Sequence, residues 1–265
     1  MSWSGFKKSV NRAGTTLMQK TGQIERTEDR DFADETAKFK AFEKEANALQ
    51  KDAKQFLDGM RAMAANQVKM AETIDTFYTA SDRTSDGAMA ASAYRRSTEE
   101  LDATTTGTLD QTFRTTVLEP AGKMVSYFPA INGQIEKRNK KLLDFDAARS
   151  KARKLEGKAS EDPTKATIAE RELEEATEIF QILNEQLVSE LPQFIDLRIP
   201  FYDPSFEAMV RLQAKFAEEG YEKLGGVQRY FPDNVRDEYA AGQLDAQVEQ
   251  ALQEMKDLSI CGASG

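Results

Sequence analysis

From Phe39 to Phe77 apolar residues recur at alternating spacings of three and four: Phe39, Phe42, Ala46, Leu49, Ala53, Phe56, Met60, Met63, Gln67, Met70, Ile74 and Phe77, with only Gln67 polar. This is the heptad signature of a helix that buries one face against other helices. No proline interrupts residues 30–80, so the pattern predicts a single helix of about 45–50 residues, roughly 70 Å long at 1.5 Å per residue. Such a length implies an elongated or coiled-coil-like bundle.

The rest of the chain supplies the partners. Residues 81–96 read as a polar, small-residue connection. A second helix is expected from about 97 to 157, kinked at Pro120 and Pro129, with an apolar line through Met124, Phe128, Ile131, Ile135, Leu142, Phe145 and Ala152. After a turn at Gly157–Pro163, a third helix carries Leu173, Ala176, Phe180, Leu183, Leu187 and Leu191 at heptad spacing. Pro192 and Pro200 bend or break it, Asp203-Pro204 marks a turn or restart, and Gly225-Gly226 reads as a stop. A last amphipathic helix is expected over 235–258, with residues 259–265 frayed. The fold class is therefore all-α, an elongated, kinked three-helix bundle. Three helices this long cannot cover one another's stripes within one chain, so dimerisation along them is the economical arrangement.

Charge is distributed unevenly. Residues 137–158 hold nine Lys/Arg (Lys137, Arg138, Lys140, Lys141, Arg149, Lys151, Arg153, Lys154 and Lys158) against Asp144, Asp146 and Glu156. The first 24 residues hold four cations and no acid, whereas the whole chain is at −9, so everything else sums to −19. Segregation of this kind turns chosen surfaces toward an anion and keeps the remainder soluble. A helix face paired to acids on neighbouring helices is the competing explanation. Nucleic acid is the other polyanion, but no recognition module or interleaved aromatic platform accompanies the block, and it is not expected as a partner.

The chain has no histidine. That removes the commonest general base and the commonest metal ligand. No phosphate-cradling glycine loop is present. Asp144-Phe145-Asp146 does not read as a metal site, because residues two apart on a helix point about 200° away from each other. No enzyme activity, metal or cofactor is expected. The single cysteine, Cys261, allows no internal disulfide, and neither a membrane span nor a secretory signal is visible. A reducing cytoplasm is the expected setting.

Residues 2–20 carry an apolar stripe through Trp3, Phe6, Val10, Ala13 and Leu17, with Lys8, Asn11 and Arg12 opposite and Lys7 at the border. Three readings stay open: a helix packed on the body, a mitochondrial presequence, and an interfacial membrane helix with an aromatic face and a cationic one.

Taken together, the opening Met1-Ser2-Trp3 with Gly5-Phe6-Lys7-Lys8, Lys137-Arg138, Lys140-Lys141-Leu142, Asp144-Phe145-Asp146-Ala147-Ala148-Arg149, Glu190-Leu191-Pro192 and Tyr202-Asp203-Pro204-Ser205-Phe206-Glu207 resemble the amphiphysin/endophilin BAR family, in particular its short fungal members of the reduced-viability-upon-starvation class. The resemblance covers nearly the whole chain. It implies a crescent dimer of antiparallel three-helix bundles with a basic concave face on anionic phospholipid, and it divides the chain into an N-terminal membrane helix (1–24), a BAR domain (25–226) and an acidic helical extension (227–265).

In that picture Lys137, Arg138, Lys140 and Lys141 form the concave cationic cluster, and Arg149, Lys151, Arg153, Lys154 and Lys158 run toward the distal tip. Trp3, Phe6, Val10 and Leu17 insert into lipid beside Lys7, Lys8 and Arg12. The tip loop, with Glu161 and Asp162, departs from the lysine-rich expectation. The resemblance further implies a peripheral protein sensing or generating curvature at cortical actin and endocytic sites. It would pair with itself or with a longer amphiphysin-type paralogue carrying a Src-homology 3 domain, and meet the actin-patch machinery indirectly. The alternative is a coiled-coil cytoskeletal adaptor without lipid contact.

Overall fold

The computed structural model describes residues 3–80, 82–156, 163–232, 234–258 and 260, and every regular element among them is helical. Lys158, the tip-loop acids and Cys261 lie outside the described residues. Helix α1, Trp3–Lys20, stops just before Gly22, whose φ of 73° suits a residue without Cβ. The heptad stripe forms α2, Arg30–Thr79, a single helix of 50 residues. Asp29 starts it by accepting the Phe32 N–H at 3.0 Å.

Between α2 and the tip the chain departs from expectation. Residues 86–96 are not a connection: α3 spans Asp86–Thr104, capped by Ser85, whose side chain accepts from the Ala88 N–H. Its alanines favour helix, and Ala88, Ala90, Ala91 and Ala93 are buried where larger side chains would hold the helices apart. The stretch 97–157 is interrupted beside Pro120 and Pro129, as expected, and irregular turns begin earlier still. Wide π-turns occupy Thr105–Leu109 and Arg114–Leu118, flanking the short α4, Asp110–Phe113. Pro120 sits at the start of α5, Glu119–Val125, where its missing N–H costs least, and the wider turn before it makes room for the ring. After Ser126 and Tyr127 the chain restarts as α6, Phe128–Glu156, with Pro129 in its first turn.

Helix α7 spans Pro163–Asp196 with Pro192 inside, and α8 spans Arg198–Gly225. Asp203-Pro204 is not a restart, because α8 runs through it. Pro200 falls in the first turn of α8. The expected final helix is two, α9 at Val235–Ala240 and α10 at Gln243–Asp257, separated by Gly242 at φ 71°.

The chain forms two compact units, residues 1–55 with 114–209, and residues 56–113 with 210–265. In the first, Phe32, Phe39, Phe42 and Ala46 of α2 join Met124, Phe128 and Ile135, and Leu187 and Leu191 of α7, in one core. Phe128 sets its ring edge-to-face against Phe39 at 5.8 Å and Phe42 at 5.6 Å. Antiparallel order follows from the cross-links: Glu43 accepts from Asn132 while Asp29 pairs with Arg138, and Phe145 stacks on Phe180 while Lys151 pairs with Glu172.

The second unit is built on Leu57, Met60, Ala64 and Ala71 of α2 with Ala88, Ala91, Leu101, Leu109 and Phe113. Arg61 pairs with Asp110, Ser92 donates to Asp75, and Lys223 pairs with Glu100. The α2 stripe therefore divides. Phe39, Ala46, Ala53 and Met60 turn inward, whereas Leu49, Phe56, Met63, Met70 and Phe77, seven residues apart, remain exposed in the single chain.

Candidate functional site

The basic block lies on α6, and the helix sorts its cations by direction. Residues 137, 140, 141, 144 and 151 fall within an arc of about 100° at 3.6 residues per turn, a face made of lysines around a single carboxylate, Asp144. Arg138 points elsewhere and is only 2% exposed. Its guanidinium lies 3.8 Å from the Phe32 ring centre and 4.9 Å from that of Phe180, donates to Asp29 at 2.8 Å and gives its Nε–H to Asn184 at 2.7 Å. Burial pushes Arg138 below its ordinary pKa, against the pull of Asp29. Burial also opposes the charge of Asp29, but the Phe32 N–H, Asn184 and Arg138 outweigh it and hold that carboxyl below the usual range. The expectation that Arg138 belongs to a lipid-facing cluster is thus corrected: it ties α2, α6 and α7 together, and a planar guanidinium between two rings meets that need.

Other members of the block are engaged as well. Arg149 donates to the Glu25 carbonyl at 3.1 Å and to Asp146 at 3.2 Å. Arg153 donates to the Glu25 carboxylate at 2.7 Å, which with the charge of Arg149 holds Glu25 below its usual pKa. Lys151 pairs with Glu172 across the surface. Pairing to neighbouring acids therefore describes Arg138, Arg149, Lys151 and Arg153. Lys140 faces solvent with only a loose contact to Glu136 at 3.4 Å, and Lys141 is half-buried, 3.9 Å from Asp144. Lys137 and Lys154 are exposed and make no ion pair with a described residue.

Two carboxylates that the sequence reading set aside organise the N-terminal segment. Asp144 accepts a bidentate pair from Arg12, Nε and NH2 both at 2.8 Å. These bonds raise Arg12 above its ordinary pKa. Asp146, 0% exposed, accepts from Gln19 at 2.8 Å, from the Thr27 hydroxyl at 2.5 Å and from the Thr27 N–H at 3.2 Å. As expected of residues two apart on a helix, the two aspartates serve different partners.

Helix α1 consequently lies on α6 by its polar side. Arg12, Thr15, Thr16 and Gln19 share a face spaced 3-1-3, and Thr15 is buried. The opposite stripe is open to water: Trp3 is 83% exposed, Phe6 56%, Val10 54% and Leu17 64%. Of the cations expected to meet lipid here, Lys7 and Lys8 are exposed, but Arg12 is committed to Asp144 and is corrected to an intramolecular role. Sequence reasoning missed Asp144 and Asp146. The signal was a lone acid in the middle of a lysine face, facing a segment with cations and no acids.

Among the described residues no helix is long and apolar enough to cross a membrane. An apolar stripe on α1 and the lysines Lys137 and Lys140 on α6 are exposed.

Comparison with known proteins gives the family. The family model for the BAR domain matches residues 6–232. The chain is 54% identical to the protein hob3 of Schizosaccharomyces pombe, over 99% of this chain and 98% of the relative. It is 42% identical to the Candida albicans protein named regulator of cytoskeleton and endocytosis RVS161, over 98% of each. The solved amphiphysin BAR domain from Drosophila superposes with a TM-score of 0.63 at 27% identity, covering 77% of this chain and 93% of that one. The chain belongs to the BAR domain family, a family of structural membrane-remodelling scaffolds.

Proposed function

We propose that the chain binds anionic membrane and senses or generates curvature in endocytic tubulation and vesicle scission at cortical actin sites. The observation that carries this reading is the exposed stripe Trp3, Phe6, Val10 and Leu17, with Lys7 and Lys20 on its two borders and Lys137 and Lys140 open on α6. The family and the naming of the Candida albicans relative for cytoskeleton and endocytosis support the setting. Residues 1–24 serve lipid contact, 25–226 the scaffold, and 227–265 an acidic extension that the anionic surface repels.

The lipid face is narrower than the basic block: Lys137, Lys140, Lys141 and Lys154 with Lys7 and Lys8, while Arg12, Arg138, Arg149, Lys151 and Arg153 act chiefly within the fold. Each cation near an anionic leaflet contributes about 1 kcal/mol, and each large apolar side chain about 1.5–3 kcal/mol if fully desolvated. One copy thus binds weakly, and pairing makes binding useful through avidity. The exposed line Phe56, Met63, Met70 and Phe77 is the face for a second bundle, either this chain again or a longer amphiphysin-type paralogue.

Co-sedimentation with phosphatidylserine-containing and neutral phosphatidylcholine vesicles across a salt series tests the reading. Binding to the anionic vesicles that weakens with salt is expected. A dimer that binds neither kind at any salt is a coiled-coil adaptor, and the proposal fails.

A further inference from the structure

The docked position of α1 is unusual for an amphipathic helix. A helix stored on the body of a protein ordinarily buries its apolar side, because that side carries the burial free energy. Here the apolar side faces water, and the body holds the helix through hydrogen bonds to its polar side. Arg12 grips Asp144 by two bonds of 2.8 Å, Gln19 reaches the buried Asp146, and the Thr27 hydroxyl and N–H secure the following linker to the same carboxylate. Glu25, bridging Arg153 and Arg149, fastens the linker once more.

We infer that Asp144 and Asp146 form a clasp that presents α1 to the membrane, so that the helix enters lipid while still attached to α6. The inference rests on the membrane reading above and adds that stripe and lysine face form one rigid footprint. Three observations favour lipid as the occupant of the stripe. Residues 3–24 contain four cations and no acid. Lys7 and Lys20 stand on opposite borders of the stripe, where long side chains lift their charge to the headgroups while the stem lies on apolar surface. Asp144 sits in the middle of the lysine face of α6, so α1 docks on the face that also carries Lys137 and Lys140. The two fixed carboxylates would repel an anionic leaflet if unpaired; Asp144 is paired with Arg12, and Asp146 is buried and bonded to Gln19 and Thr27. A concealed helix would have to leave the body before inserting. A presented one keeps the clasp and inserts with fewer residues to order.

Trp3 is the chain's one tryptophan, so its emission reports insertion directly. The locking experiment uses the full chain as Arg12→Cys/Asp144→Cys on a Cys261→Ser background, joined by a short bismaleimide and mixed with vesicles of phosphatidylserine in phosphatidylcholine. The linked protein is expected to show the same blue shift of Trp3 as the unsubstituted chain, with affinity within about twofold. Loss of the shift in the linked protein alone shows that α1 must leave, and overturns the clasp. Failure of the unsubstituted chain to sediment overturns the membrane reading itself.

Hydrogen exchange without lipid guards against a misfolded variant. Amides of residues 8–20 are expected to exchange about tenfold faster in Arg12→Asp, as one charge-assisted bidentate pair is lost, and to slow again in Arg12→Asp/Asp144→Arg. Unprotected amides in the unsubstituted chain, or no recovery in the exchanged pair, contradict the docked helix.

Discussion

Two helices leave a line of large apolar residues in water, and their surroundings differ. On α1 the line Trp3, Phe6, Val10, Leu17 has lysines on both borders and no acid within the helix. On α2 the line Phe56, Met63, Met70, Phe77 recurs every seven residues and is flanked one turn on by Gly59, Asn66 and Thr73, small or uncharged side chains. Equal exposure thus points to unlike partners. Cationic borders suit an anionic surface, which needs charge at the rim and no fixed register. Small neutral flanks at a seven-residue period suit another helix, which needs close approach and a fixed register.

The comparison can be broken most forcefully on α2. Met63→Glu/Met70→Glu places charges where a second bundle would bury them, at a cost above roughly 5 kcal/mol per interface. Sedimentation equilibrium should show monomer where the unsubstituted chain is dimeric, with helicity unchanged by circular dichroism. An unchanged mass would remove the helix-pairing role of this line.

The next effect separates folding from lipid contact within the basic block. Arg138→Ala leaves Asp29 without its buried partner and should cost on the order of 3 kcal/mol, seen as a lowered denaturation midpoint. Lys137→Glu/Lys140→Glu should leave that midpoint in place and weaken binding to phosphatidylserine vesicles roughly thirtyfold or more, at about 1 kcal/mol for each cation removed from an anionic surface. Reversed phenotypes would reverse the assignment of these neighbours on α6.

The smallest effect is with pH. The folded-state pKa of Asp29 lies below its ordinary value, so its contribution is fully present above the unfolded carboxyl value of about 3.9 and is lost as pH falls through the lower folded value. Thermal melts from pH 7 to pH 3 should show Asp29→Asn less stable at neutrality and less sensitive to acid than the unsubstituted chain. A parallel decline in both proteins would contradict the cage around Arg138.

How much of this the sequence disclosed depends on the kind of signal. The length of α2 and the start and stop of α1 follow from periodicity, glycine and the absence of proline, all local properties. The division of the α2 stripe does not, because Phe39 and Phe77 look alike until it is known which partner reaches each. Residues 81–96 read as a connection because small and polar residues favour turns, yet alanines packed between helices prefer helix. Arg138 and Lys140 are both cations in one run. Their opposite fates turn on a two-residue offset that rotates one toward Phe32 and Phe180 and the other toward solvent. Asp144 and Asp146 act as tertiary anchors, and for such a role the sequence pattern carries no period to read.

The most direct test of the difference between the two stripes is the fate of Trp3 in phosphatidylserine vesicles whose acyl chains are brominated. If the α1 stripe faces lipid, Trp3 emission is quenched by the brominated chains and protected from aqueous iodide. If protein sediments fully with those vesicles while Trp3 stays unquenched by bromine and open to iodide, the stripe is not the lipid face, and the account of α1 is wrong.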